Sequence, residues 1–245
     1  MIEPSGIDSL VQPASGLRGE DASAAFPFGL AVEGVHEIAE ARYGDAGAAA
    51  GFALSALAQS RPGVWLWVRE RTITLDQGRI TGLGAAAFGL DPSRFLFVEA
   101  ASSLEALLAT EEGLRSGAIA AVITEVRDVD FTASRRLILA SEQTGTPSVL
   151  LLPHRREGAT AAHARWRIAP APSAPNLFDR RAPGKPRWRA TLERSRLAPG
   201  QAGRAFDLEF DDETLCLRLV SGLADRPAAP RPARPGHILP FRKAG

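Results

Sequence analysis

The chain has a single cysteine, Cys216, and only two lysines, Lys185 and Lys243, among its 29 basic residues. One cysteine excludes a disulfide framework and a thiolate metal cluster, and it suits a reducing compartment. The shortage of lysine has a sharper consequence: no ammonium side chain exists upstream of residue 185. Long apolar runs are missing too. The longest, around residues 46–58, is too short and too rich in alanine to cross a bilayer. The opening stretch, MIEPSGIDSL, carries acids and lacks the basic-then-apolar order of a signal peptide. No serine stands in a G-x-S-x-G setting, and no two histidines have metal-ligand spacing. These absences lead us to expect a cytoplasmic protein with no membrane partner, no metal and no cofactor.

What is present is ordinary in bulk. The chain is 45% hydrophobic and 23% charged, with a net charge of +1. That balance gives no global attraction to nucleic acid, so any such contact must come from a local patch. The 245 residues suit one α/β domain with tails. Residues 1–25, rich in Gly, Ser, Pro and Ala, read as a flexible N-terminal segment. Residues 221–245 read as a flexible Pro/Arg-rich tail, too rich in proline for helix or central strand. The core domain is expected between them, over residues 26–220.

Inside the core, short apolar runs alternate with amphipathic stretches. Strands are expected at 35–41, 64–70, 94–100, 118–126 and 147–153, and helices at 48–60, 102–117 and 131–145. Ser102 and Glu105 have capping-box spacing, while Gly117 and Gly145 stand where helices end. Strands that are apolar on both faces and alternate with helices indicate a parallel sheet covered on both sides. After residue 160 the pattern changes to strand-like runs at 165–171, 187–196, 206–212 and 214–220. Asp211-Asp212-Glu213 is expected to form a hairpin turn. The fold class is therefore α/β, a mostly parallel sheet flanked by helices with an antiparallel C-terminal extension.

The stretch EARYGDAGAAAGFALSALA (40–58) reads as the turn from a strand into a helix, where a phosphate loop would lie. Such a loop needs glycines to bare its backbone N–H groups, a lysine for phosphate charge, and a hydroxyl for Mg²⁺. Gly44 and Gly47 are present, but Ala48 and Ala49 occupy the lysine and hydroxyl positions. Glu70 and Glu125 end two of the strands. Carboxylates so placed polarise water or hold Mg²⁺ in a nucleotide hydrolase; elsewhere they face solvent or pair with an arginine. Arg155, Arg156 and Arg165 gather positive charge around the loop after the fifth strand, a candidate contact for DNA or a partner, or else a solvated surface. Trp65, Trp67, Trp166 and Trp188 read as core packing, and His36 as a core or rim histidine. In the tail, Ile238, Leu239 and Phe241 form an apolar knot of the kind that docks in a partner's groove.

The order of these pieces resembles the RecA recombinase core, and more specifically the ImuA family of RecA-like and SulA-like proteins. The segments that carry this are FPFGL with GVHEI, GLDPSRFLFV, EEGLRSGAIAAVITEV, DFTASRRLILASEQTGTPSVLLL and RWRIAPAPSAP. The resemblance implies a non-catalytic accessory role in translesion DNA synthesis and mutagenesis during the SOS response to DNA damage. Its implied partners are an ImuB-type inactive polymerase homologue and an error-prone C-family polymerase, with direct DNA contact left open. It places Gly47 at the phosphate-loop glycine, Glu70 at a catalytic glutamate and Glu125 at the acid ending a metal-coordinating strand. Because Ala48 and Ala49 break that pattern, no ATPase activity is expected and the nucleotide site reads as vestigial. Two other readings stay open: a SulA-like inhibitor of cell division, and a weak RecA-type ATPase that binds DNA.

Overall fold

The computed structural model describes residues 26–220, apart from residues 29, 31–33, 59, 177 and 180. Nine strands form one sheet: β1 (Val35–Glu40), β2 (Val64–Glu70), β3 (Phe95–Ala100), β4 (Ile119–Glu125), β5 (Ser148–Leu152), β6 (Ala164–Ala171), β7 (Arg187–Ser195), β8 (Ala205–Asp211) and β9 (Cys216–Leu219). Their spatial order is β3-β2-β4-β5-β1-β6-β7-β8-β9. The pairs from β3 through β6 are all parallel, and the pairs from β6 to β9 are antiparallel. The change of direction therefore falls one strand later than the sequence pattern suggests. β6, the first strand of the expected antiparallel extension, runs parallel to β1, with Ile38 opposite Trp166.

Helix α1 (Ala46–Leu57) covers one face of the sheet, while α4 (Ser103–Arg115) and α5 (Phe131–Thr144) cover the other. Between β2 and β3 lie two short helices, α2 (Arg71–Gln77) and α3 (Gly82–Ala86), which the sequence pattern does not announce. The core accordingly has two halves. On the α1 side, Phe52, Leu54 and Leu57 pack on Ile38, Trp67, Trp166 and Trp188. Gly51 lets α1 approach closely, since a Cβ there would lie 3.1 Å from the Trp188 ring and 3.2 Å from Phe88. On the other side, Leu107, Leu114 and Leu137 pack on Leu66, Val68, Val122 and Leu150. All four tryptophans are buried, as expected.

The helix ends follow their sequence signals. Ser102 Oγ accepts from the Glu105 amide at 3.3 Å, and the Glu105 carboxylate accepts from the Ala101 amide at 2.9 Å. Asp130 caps α5 through the Ala133 amide at 2.7 Å. Gly145 closes that helix in the left-handed conformation, a geometry open to glycine at little cost. The hairpin joining β8 and β9 turns over residues 212–215, with Leu215 rather than a glycine at positive φ.

Candidate functional site

Parallel α/β sheets bind ligands in crevices beyond the carboxyl ends of their strands. Here a cavity of about 1000 Å³ opens at that rim, beyond β1, β2, β4 and β5 and beside the first turn of α1. Its walls include Leu54, Trp67, Ile73, Ile80 and Phe88, with polar groups from Glu40, Arg69, Glu125, His154 and Arg155. The α2–α3 stretch forms one lip.

The turn into α1 has the shape that the sequence suggests. Gly44 is at φ +94°, and nothing lies within 4 Å of a Cβ built at Gly44 or Gly47. Asp45 accepts the Arg42 amide through its side chain at 3.1 Å, and its carbonyl takes the Ala48 and Ala49 amides. Gly47 and Ala49 line the cavity; Gly44 and Ala48 do not. Ala49 is buried in the core and Ala48 packs beside it, so these two positions carry packing.

The period of two along β2 turns Glu70 away from the cavity, while Glu125 ends β4 beside it. Trp65 and Trp67 face the α1 side, whereas Leu66 and Val68 face α4. Glu70 continues the second set and is absent from the cavity wall. Both of its oxygens are taken: Thr72 and Ser103 donate hydroxyls at 2.5 Å, and the Arg127 amide donates at 3.2 Å. Burial raises its pKa, but the Ser103, Thr72 and Arg127 bonds outweigh this and hold the carboxyl below the ordinary glutamate value. A carboxylate so saturated is a structural anion, remote from the near-neutral pKa that suits a general base.

Glu125 does line the cavity. Arg69 meets it at 2.8 Å and the Trp67 indole N–H at 2.5 Å, with the Arg69 guanidinium 6.0 Å from the Trp67 ring centroid. This is the arginine pairing that the sequence left open for strand-end acids. Arg69 itself was not singled out by sequence, although its alternation with Trp65 and Trp67 places it on the cavity side. Among the described residues, no group of three His, Cys, Asp or Glu side chains is arranged to hold a metal ion.

The three arginines expected at a DNA or partner contact separate. Arg165 donates to Glu37 Oε2 at 2.7 Å, and Arg156 reaches Glu37 Oε1 at 3.4 Å. Both side chains are at most one-tenth exposed and engage an acid on β1. Arg155 alone is exposed, on the cavity rim. Ile238, Leu239 and Phe241, with the segments 1–25 and 221–245, lie outside the described residues.

Sequence reasoning also missed Glu40, a buried acid at the end of β1 that forms part of the cavity wall. Its signal was the alternation within VHEIAE, which puts His36, Ile38 and Glu40 on the α1 side.

The chain is 34% identical over 218 residues to the protein ImuA of Caulobacter vibrioides, a match that covers 82% of this chain and 86% of that protein. ImuA from a second strain of the same species matches equally. A solved structure of SulA from Pseudomonas aeruginosa matches 49% of this chain and 97% of its own, at 20% identity and a TM-score of 0.39. No family model matches. Among the described residues, no helix is long and apolar enough to cross a membrane.

Proposed function

The chain belongs to the ImuA family, and from that premise we propose that it is a non-catalytic accessory protein of SOS-induced translesion synthesis and mutagenesis. It acts by holding other proteins, with an ImuB-type inactive polymerase homologue as its direct partner and an error-prone C-family polymerase in the same assembly. The core is a RecA-like scaffold whose phosphate loop has lost its lysine and hydroxyl and whose acids at the nucleotide-hydrolase positions, Glu70 and Glu125, are consumed by internal bonds.

The observation that carries this reading is the β3 edge. β3 is one of the sheet's two edge strands, paired on one side only among the described residues, and the first four residues of its sequence FLFVEA have neither proline nor a charge to blunt it. Leu96 is 51% exposed and Phe97 53%, and successive strand residues point to opposite faces. Leu104 and Leu108, on the helix that follows, are exposed as well. An apolar edge of this kind recruits another strand, because its free N–H and C=O groups template pairing and its side chains supply apolar contact. An extended apolar segment of the ImuB-type partner fits it.

Capture of that partner by the tagged full chain tests the proposal. Wild-type protein retains it, whereas Leu96→Lys and Phe97→Lys, both at half-exposed positions, release it. Undiminished capture by both variants would sink the reading.

A further inference from the structure

The cavity contains a charge that the fold leaves unanswered. Glu40 is only 2% exposed. Its Oε1 is reached by the Gln77 side-chain amide and the His154 backbone N–H, both at 3.4 Å, with His154 Nδ1 3.7 Å away. These are long for N–H···O bonds. Among the described residues, Oε2 has no hydrogen-bond partner. Buried carboxylates are otherwise paired or fully hydrogen-bonded, because desolvating the charge is costly.

The surrounding charges show what would complete it. Arg69 is committed to Glu125, Arg79 to Glu99 and Arg127 to Glu70. Of the arginines that line the cavity, Arg155 alone has no ion pair among the described residues, and it sits on the exposed rim. Asp76 adds a second acid; its only partner in the wall is the neutral Tyr43 hydroxyl, at 2.9 Å. Apart from the His154 imidazole 3.7 Å from Glu40, the cavity thus has two acids without a cation partner against one arginine without an ion pair among the described residues. A polyphosphate entering it would approach Glu40 and Asp76, like charge against like. A cation would find a counter-ion at the end of a passage walled by Leu54, Trp67, Ile73, Ile80 and Phe88.

We propose that this cavity binds an organic cation: an ammonium, guanidinium or amidinium group carried on an apolar body, with Glu40 as its buried counter-ion. On entering, the cation replaces the long Gln77 contact and supplies the donor that Oε2 lacks. Aromatic walls favour the same charge, since ring faces attract cations. This chemistry has two sources. One is the chain's own Arg242-Lys243, which follows the apolar Ile238-Leu239-Pro240-Phe241; the other is a separate molecule.

The test is a titration of the full chain with 4-aminobenzamidine, followed by the probe's fluorescence, with ATP and Mg²⁺ as the anionic competitor. Saturable binding below about 1 mM is expected, at least tenfold weaker in Glu40→Gln, partly kept in Glu40→Asp, and not displaced by ATP. In an Arg242→Glu, Lys243→Glu variant, tighter probe binding than in wild type assigns the tail as resident occupant. Equal binding assigns a separate ligand, and either result supports the site. Absence of saturable binding in wild type and tail variant alike overturns the proposal, as does binding indifferent to Glu40→Gln or displaced by ATP. None of these outcomes bears on partner capture at the β3 edge.

Discussion

Glu37 and Glu40 stand three residues apart on β1, both buried, and the fold treats them in opposite ways. Glu37 faces the side of α4 and α5, where Arg165 Nε at 2.7 Å, the Thr160 hydroxyl at 2.6 Å and Arg156 at 3.4 Å surround its carboxylate. Glu40 faces the α1 side and the cavity, with two long contacts and one bare oxygen. Residue type, strand and burial are the same. Pleat parity and the identity of the neighbouring loops differ. A structural charge is one whose partners the chain itself brings, as the loop carrying Arg156 and Thr160 does for Glu37. A charge left open at a cavity has its partner supplied from outside.

The largest effect that could break this comparison is on stability. Glu37→Gln removes the anion and leaves the Arg165 guanidinium buried without a counter-charge, which costs about 3–5 kcal/mol. Urea unfolding measures it; a loss below about 1 kcal/mol would mean that the pair contributes little.

A third low-exposure acid sharpens the contrast through pH. Asp211, at the end of β8, is bonded to Lys185 at 2.7 Å, and that bond holds its pKa at about 2, below the ordinary aspartate value of 3.8. Since the folded pKa is the lower one, the pair's stabilisation is complete above about pH 4. It is lost as pH falls from about 4 toward 2. Acid unfolding should therefore show a drop in that window, and Lys185→Met should flatten it. An unchanged profile in the variant would assign the drop to other carboxylates.

The smallest effect, and of opposite sign, belongs to Glu40. Replacing an unanswered buried carboxylate by its neutral amide relieves a desolvation penalty of about 1–3 kcal/mol. Part of this is taken back by the new amide N–H groups that need partners, so the net change is toward a more stable protein. A melting comparison of Glu40→Gln with wild type reads this directly. Destabilisation on the scale of Glu37→Gln would show that Glu40 has a structural partner after all.

Much of the scaffold was legible in the sequence because its signals are local. Apolar runs marked the strands, Ser102 with Glu105 marked one helix start, and Gly145 marked a helix end. Helices α2 and α3 were not legible. RTITLDQ buries only Ile73, and GLGAA has two glycines in five residues, so neither carries an amphipathic period. The direction of β6 was equally hidden, since a strand's own residues do not say which neighbour it will join. At the site, Gly47, Ala49 and Glu125, read from the sequence as parts of a vestigial nucleotide site, line the cavity. Glu70 falls on the other face by the alternation of β2, and this was not legible because β2 is apolar on both faces, which masks the parity that separates it from Arg69. Arg156 and Arg165 looked like surface charge because their partner, Glu37, lies 119 and 128 positions away along the chain.

The reading of this protein as non-catalytic is tested most directly by equilibrium titration with a labelled ATP analogue and Mg²⁺. With alanines at the lysine and hydroxyl positions and an open acid in the cavity wall, no saturable binding is expected up to about 1 mM. Micromolar binding that is lost in Gly47→Asp would contradict it.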